Sequence, residues 1–339
     1  MNTTTTTSQP FDHPTTTTST GDAAPSTPTV ALGAMLFGTT IDEPTAFDLL
    51  DAYVDAGGVW IDTADCYAFW ADPSGYGGQS EELLGRWLKA RPGVRDRVRI
   101  ATKVGCECVT PNSWPEVSEG LAPQVIRDVA EQSLRRMGID HIDLYWAHRD
   151  DRDVDQAENV AAFGALVAEG KVGRLGHSNT ALWRTERARG LAAGLGVAGP
   201  TALQLRYSYL QPRPMVRGRD HDHRFGFVTD EVLDYAAGDP DVSVWAYSPL
   251  MSGAYERADR PVSEAFEHVG TTRRLAALAE VADAVGHSRS EVVLSWMTGG
   301  TPSITPILGV SDLDQLATGL AGATLVLPTE LRARLEDAW

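Results

Sequence analysis

The stretch from Val59 to Lys103 constrains the fold of this chain more than any other. Two short apolar runs, Val59-Trp60-Ile61 and Val98-Arg99-Ile100-Ala101, have the length and composition of buried strands. Between them Ser80, Glu81 and Glu82 precede Leu83, Leu84, Trp87 and Leu88. That order predicts a helix capped by Ser80, with acidic first-turn residues and one apolar face. Strand, loop, helix and strand make one parallel βαβ unit. Such units gather functional side chains at the carboxyl ends of their strands. Asp62 and Tyr67 follow the first strand and Lys103 follows the second, so an acid, a phenol and an amine are expected at one rim.

The alternation runs the length of the chain. Strands are predicted near residues 30, 59, 98, 142, 172, 202, 242 and 304. Between them lie helical stretches, such as the one opened by Asp42 and Pro44, and Pro123 to Met137, which Gly138 stops. Eight parallel units of about 40 residues close most naturally as a (β/α)₈ TIM barrel, an α/β fold in a single domain. An open doubly wound sheet is the alternative. Residues 1–28 are rich in Thr, Ser and Pro and nearly free of apolar side chains, so a disordered tail is expected ahead of a barrel over residues 29–339.

Composition excludes several functions. The net charge is −17 and no basic stripe occurs, which argues against nucleic acid as a partner and against an anionic membrane surface. No apolar run reaches the roughly 18 residues that a membrane-spanning helix needs. The three cysteines, Cys66, Cys106 and Cys108, do not form a disulfide framework, and a cytoplasmic location is expected.

His148, after the fourth strand, joins Asp62, Tyr67 and Lys103 on the same rim. Each of the four alone is commonplace: a loop aspartate, a packed tyrosine, a solvated lysine, a structural histidine. Together they suit proton transfer. A free phenol has a pKa of about 10, a nearby ammonium lowers it, and a carboxylate keeps the ammonium charged and in place. The histidine can donate to a substrate oxygen.

The motifs IDTADCY (Ile61 to Tyr67), SEELLGRWLK, IATKVG, IDLYWAH, GKVGRLGHSN and AYSPL occur in an order that resembles the aldo-keto reductase superfamily, over about residues 30 to 338. The resemblance implies a barrel that binds a nicotinamide dinucleotide without a Rossmann domain, and a catalytic tetrad of Tyr67, Asp62, Lys103 and His148. It implies that Ser178, Asn179 and Gln204 hold the nicotinamide carboxamide, that Tyr247 stacks on its ring, and that Ser248 and Leu250 lie beside the pyrophosphate. The segment from Gly309 through Ser311 to Gln315 would meet the adenosine end. There the chain departs from the family pattern: no Arg or Lys follows Gly309, and Asp312 adds a negative charge. NADP(H) is the expectation from the family, with NAD(H) its rival because nothing here pairs with a 2′-phosphate.

Phe69, Trp70, Trp114 and Arg149 are the candidates for contacting a small carbonyl or alcohol substrate, by analogy a sugar, a cyclitol or another cyclic compound. No metal set is placed by spacing: His221 and His223 flank Asp222 without a third ligand, and Cys106 and Cys108 read as ordinary loop thiols. Two alternatives remain at this level. One is a non-catalytic barrel that senses a dinucleotide and binds a protein partner. The other is a metal hydrolase assembled from His148, His177 and Asp62.

Overall fold

Eight short parallel strands close on themselves in chain order, so the doubly wound alternative is set aside. The computed structural model describes residues 30–215 and 225–338. The predicted tail and the His221-Asp222-His223 loop lie outside the described residues. The strands are β1 (Ala31–Gly33), β2 (Trp60–Asp62), β3 (Arg99–Val104), β4 (Ile142–Ala147), β5 (Val172–Ser178), β6 (Pro200–Arg206), β7 (Ser243–Tyr247) and β8 (Ile304–Leu308). Among the described residues eight helices lie on the crossovers: α1 (Glu43–Asp55), α2 (Gln79–Ala90), α3 (Pro123–Met137), α4 (Gln156–Ala168), α5 (Leu182–Leu195), α6 (Asp230–Gly238) and, between β7 and β8, α7 (Val269–Val285) and α8 (Arg289–Thr298). The chain ends with α9 (Leu313–Thr324) and α10 (Thr329–Glu336).

Local chemistry sets the helix ends. Asp42 caps α1 by accepting from Thr45 N at 3.0 Å, and Gly138 closes α3 at φ 64°, a left-handed conformation open to glycine. One expectation fails. Ser80 does not cap α2; the helix starts at Gln79, and Ser80 is fully buried in its first turn. Its hydroxyl donates to Ala34 O at 2.7 Å and lies 2.7 Å from Thr63 Oγ1. A hydroxyl at a helix start also suits a tie to the barrel, and here that tie wins. Glu81 is buried too. It accepts from Thr102 Oγ1 at 2.6 Å and pairs with Arg136 at 3.1 Å instead of facing solvent.

The alternation of side chains along each strand explains where the polar rim comes from. Leu32, Ile61 and Ile100 face outward into a cluster covered by helices, while Ala31, Ala101, Leu144, Trp146, Ala202, Trp245 and Ile307 fill the barrel, with Trp60 packed against them. Trp245 meets Trp60 and Trp146 edge-to-face, with ring centroids 5.2 and 5.6 Å away. One step of two residues further along the strands gives Asp62 after Trp60, Lys103 after Ala101, His148 after Trp146, Gln204 after Ala202 and Tyr247 after Trp245. The polar residues are therefore the last layer of the barrel interior, stacked above an indole floor at the carboxyl mouth.

Gly176 makes room for that floor. It pairs with Trp146 across β4 and β5, and a Cβ there would lie 2.3 Å from the Trp146 ring. In an open strand alanine is favoured over glycine by about 0.5–1 kcal/mol. Here we expect the opposite sign: Gly176→Ala destabilises the fold by about 1–3 kcal/mol through overpacking. Equilibrium urea unfolding of the two proteins measures it, and equal or greater stability of the variant would contradict the packing described.

Candidate active site

Lys103 sits within β3, fully buried, and its ammonium makes three contacts. It donates to Asp62 Oδ2 at 2.6 Å, to the Thr63 carbonyl at 2.7 Å and to Tyr67 Oη at 2.9 Å. It also lies 4.5 Å from the centroid of the Tyr67 ring. The second oxygen of Asp62 accepts from Gln204 Nε2 at 2.9 Å, so both carboxylate oxygens are held. The Tyr67 ring stands edge-to-face with His148 at 5.7 Å, and Tyr67 and His148 are half-buried at the mouth. The four residues that sequence reasoning grouped are thus in one cluster. Asp62 and Lys103 are borne by strands and Tyr67 by the loop after β2; His148 immediately follows β4, its amide bonded to Val104 O at 2.9 Å.

The electrostatics differ from the expectation in one respect. The ammonium was expected to lower the phenol's pKa. Instead, burial first and the Asp62 carboxylate second hold Tyr67 well above its usual value. Burial also raises Asp62, against the pull of Lys103. The phenol is therefore fully protonated at neutral pH, a donor held by an ammonium that stabilises the anion left after the proton departs.

Ser178, Asn179, Gln204 and Tyr247 share the neighbouring part of the mouth. Asn179, at φ 51°, donates from Nδ2 to the His148 carbonyl and to Ser178 Oγ, both at 3.1 Å, and its Oδ1 accepts from Tyr247 Oη at 3.0 Å. Ser248 also has a left-handed backbone, at φ 54°, and Leu250 packs against the outer core. Past β8, Gly309 and Ser311 lead into α9, whose N-terminus is capped by Asp312. The Asp312 carboxylate accepts from Gln315 N at 2.8 Å and Gln315 Nε2 at 2.5 Å, and Gln315 Nε2 also donates to Ser311 Oγ at 2.9 Å.

The aromatic candidates gather on the Tyr67 side. Phe69 is buried, its ring 5.0 Å from Trp70 and 6.1 Å from Trp114, and Trp114 packs against the Ala64, Cys66 and Cys106 cluster beside Tyr67. Trp70 is about half exposed, at 49%. Arg149 is close enough to Cys106 to act on that thiol, and it also lines a small cavity of about 30 Å³ with Ala147, Asp150, His177 and Arg184. His177 bonds Thr185 Oγ1 at 3.0 Å through Nδ1, and burial lowers its pKa to about 4, so it is neutral. His177 and Asp62 take no part in the cluster of metal-capable groups found among the described residues, which comprises Asp65, Cys66 and His148.

Two neighbours escaped sequence reasoning. Gln204 was read only as an amide for a carboxamide, yet it also orients Asp62. Cys66 Sγ lies 3.6 Å from His148 Nδ1. The position of Cys66, directly before Tyr67, was the available signal. All three cysteines are buried free thiols.

The sequence matches the model of the aldo/keto reductase family over residues 29–339. The chain belongs to that family. This aldo/keto reductase is 30% identical to the uncharacterized oxidoreductase YrpG of Bacillus subtilis over 315 residues, which is 91% of each chain. It is 29% identical to aflatoxin B1 aldehyde reductase member 4 of Homo sapiens, covering 87% of this chain and 88% of the relative. It is 31% identical to 6-dehydroglucose reductase of Agrobacterium fabrum, covering 79% of each. Family and relatives make the chain an oxidoreductase. No helix among the described residues is long and apolar enough to cross a membrane.

The buried pair makes its own prediction. Removing one partner of a buried ion pair strands the other charge and typically costs about 3–5 kcal/mol, whereas removing both is far milder. Lys103→Met is expected to lose stability on that scale, and the double variant Asp62→Asn with Lys103→Met to regain most of it. Denaturant midpoints of the four proteins in the cycle test this; additive losses would show that the two groups are not coupled.

Proposed function

We propose that this aldo/keto reductase moves a hydride between a nicotinamide dinucleotide and a carbonyl or secondary alcohol carbon, with Tyr67 passing the proton. The observation that carries the reading is the Lys103 ammonium, 2.6 Å from Asp62 and 2.9 Å from Tyr67 Oη inside a barrel mouth. A bound nicotinamide supplies or accepts the hydride at its ring carbon. The chain's own residues do the rest. Tyr67 donates its proton to the oxygen on which charge develops, and Lys103 stabilises the phenolate so formed. Asp62 holds Lys103 in place, and His148 orients the oxygen from the side of the Tyr67 ring. Tyr67 is protonated at neutral pH, as a proton donor for reduction must be.

The donor set fits the cofactor. A primary carboxamide needs both donors and acceptors, and Ser178, Asn179 and Gln204 offer both within one mouth. Tyr247 provides an aromatic face next to them. At the adenosine end Ser311 and Gln315 are tied to Asp312, whose carboxylate already occupies the cap of α9. A 2′-phosphate would meet a like charge there and no guanidinium, so we assign weak discrimination against NAD(H) in place of a strong NADP(H) preference. Phe69, Trp70, Trp114 and Arg149 border the space left for substrate. Apolar rings with one cation suit a cyclic carbonyl carrying hydroxyl or acidic groups, and the names of two relatives, an aflatoxin aldehyde reductase and a dehydroglucose reductase, point to that range.

Tyr67→Phe is expected to lower carbonyl reduction at least about 10³-fold, within the range general acids contribute, while dinucleotide affinity changes less than about threefold. Reduced-nicotinamide absorbance against a panel of aromatic aldehydes and sugar carbonyls gives the rate, and calorimetry gives the affinity. Near-wild-type turnover would remove Tyr67 from the mechanism. Ser311→Arg is expected to shift the NADPH over NADH preference in kcat/KM upward by about tenfold or more, as a new charge-assisted pair would. An unchanged ratio would place the 2′ position elsewhere.

A further inference from the structure

Two consecutive residues of the loop after β2 touch the His148 ring, and proton transfer uses only the second of them. Tyr67 meets the ring edge-to-face, with centroids 5.7 Å apart. Cys66 meets it from the buried side: its Sγ lies 3.6 Å from His148 Nδ1, a hydrogen bond between thiol and imidazole. The thiol is 4% exposed and packs with Ala64, Cys106, Tyr67 and Trp114. Among the described residues His148 is the hydrogen-bond partner found for it. The main chain holds the histidine on both sides. Its amide donates to Val104 O at 2.9 Å, and its carbonyl accepts from Asn179 Nδ2 at 3.1 Å. Those bonds place the ring, but they do not decide which of its nitrogens carries the proton. In a neutral imidazole that choice is set by what each nitrogen is bonded to.

The direction of the thiol bond follows from the state of the sulfur. A thiolate would accept from an Nδ1–H, whereas a thiol donates to a bare Nδ1, a far stronger acceptor than sulfur itself. Burial above all holds the Cys66 thiol well above its ordinary value, and the opposing pull of the Lys103 ammonium does not reverse this. At neutral pH the sulfur therefore keeps its proton and is the donor. We propose that Cys66 is a positioning residue: its S–H donates to His148 Nδ1 and so fixes the ring as the Nε2–H tautomer, which offers its N–H to the substrate oxygen. The two ring nitrogens point nearly opposite ways, so a bond that fills Nδ1 on the buried side turns Nε2–H away from it. With the proton on Nδ1 instead, Nε2 would present a lone pair to an oxygen on which negative charge develops, where a donor is needed. The catalytic consequence rests on the role proposed above for His148; the tautomer itself does not. One short stretch of loop thus supplies both groups: Tyr67 gives up a proton, and Cys66 keeps the adjacent imidazole in the form that can donate.

Full-length protein labelled with ¹⁵N-histidine and kept reduced is studied by long-range ¹H–¹⁵N correlation near neutral pH, with no dinucleotide or substrate present. The His148 signals are those missing from His148→Gln. Wild type is expected to show a protonated Nε2 and an unprotonated Nδ1. In Cys66→Ala, which removes the donor, that tautomer loses its dominance. Its kcat/KM for carbonyl reduction, measured separately with reduced dinucleotide, falls roughly three- to tenfold, as the loss of one hydrogen bond would give. Cys66→Ser, which keeps a donor at the same position, restores both the tautomer and the rate. Circular dichroism confirms that each variant is folded, and should Cys66→Ala not fold, the wild-type spectrum still decides the tautomer. A protonated Nδ1 in wild type, an unchanged tautomer or rate in Cys66→Ala, or a Cys66→Ser that behaves as Cys66→Ala overturns the proposal. Because the tautomer is read without cofactor or substrate, its failure leaves the oxidoreductase reading standing, and near-wild-type turnover of Tyr67→Phe leaves the tautomer standing.

Discussion

Everything at the mouth depends on one ammonium buried inside a β-ladder. Lys103 occupies an inward position of β3, one layer above the floor, in the packed interior of the barrel. A lone charge there would cost more free energy than a small domain has to spare. It survives because Asp62, two residues past an indole on the adjacent strand, meets it at 2.6 Å, and because a main-chain carbonyl and a phenol complete its hydrogen bonds. The pair is therefore justified less by stability than by what it does to the third contact, the tyrosine. The same arrangement that makes the pair tolerable puts the phenol within reach of anything entering the barrel.

Much of this was legible in the residues. Eight apolar runs at regular spacing gave the strands, and the run predicted near residue 304 is β8, Ile304–Leu308. The polar residues that follow those runs gave the four side chains that meet at the mouth, because strand periodicity alone sends Asp62 and Lys103 to the same side as Trp60 and Ala101. What stayed hidden depends on contacts across elements. Ser80 has the identity and position of a helix cap, and only the carbonyl of Ala34 behind it shows why the helix begins two residues earlier than such a cap predicts. The sign of the Tyr67 shift was misjudged because a list of neighbours does not say how deeply a phenol is buried, and depth decided it. Gly176 looks like any strand glycine until Trp146 is seen to fill the space of its missing side chain. The proximity of Cys66 and His148 joins residues 82 positions apart and leaves no pattern in either segment.

Charge shapes the two ends of the proposed cofactor site differently. At the nicotinamide end the groups are neutral amides and hydroxyls bound to one another, so they exchange one set of hydrogen bonds for another when a ligand arrives, at small net cost. At the adenosine end the helix start that could attract an anion is already satisfied by Asp312. A chain of net charge −17 offers no compensating field, so recognition of a doubly anionic dinucleotide rests on close contacts more than on long-range attraction.

The three indoles of the barrel floor have a consequence for measurement. Trp245 contacts both Trp60 and Trp146 one layer below Lys103 and His148. Their emission overlaps the absorption of a reduced nicotinamide, and a ring seated at the mouth would lie well inside the range of energy transfer. The fold thus carries its own optical gauge of occupancy, in which quenching of intrinsic fluorescence reports the arrival of a ligand without any label.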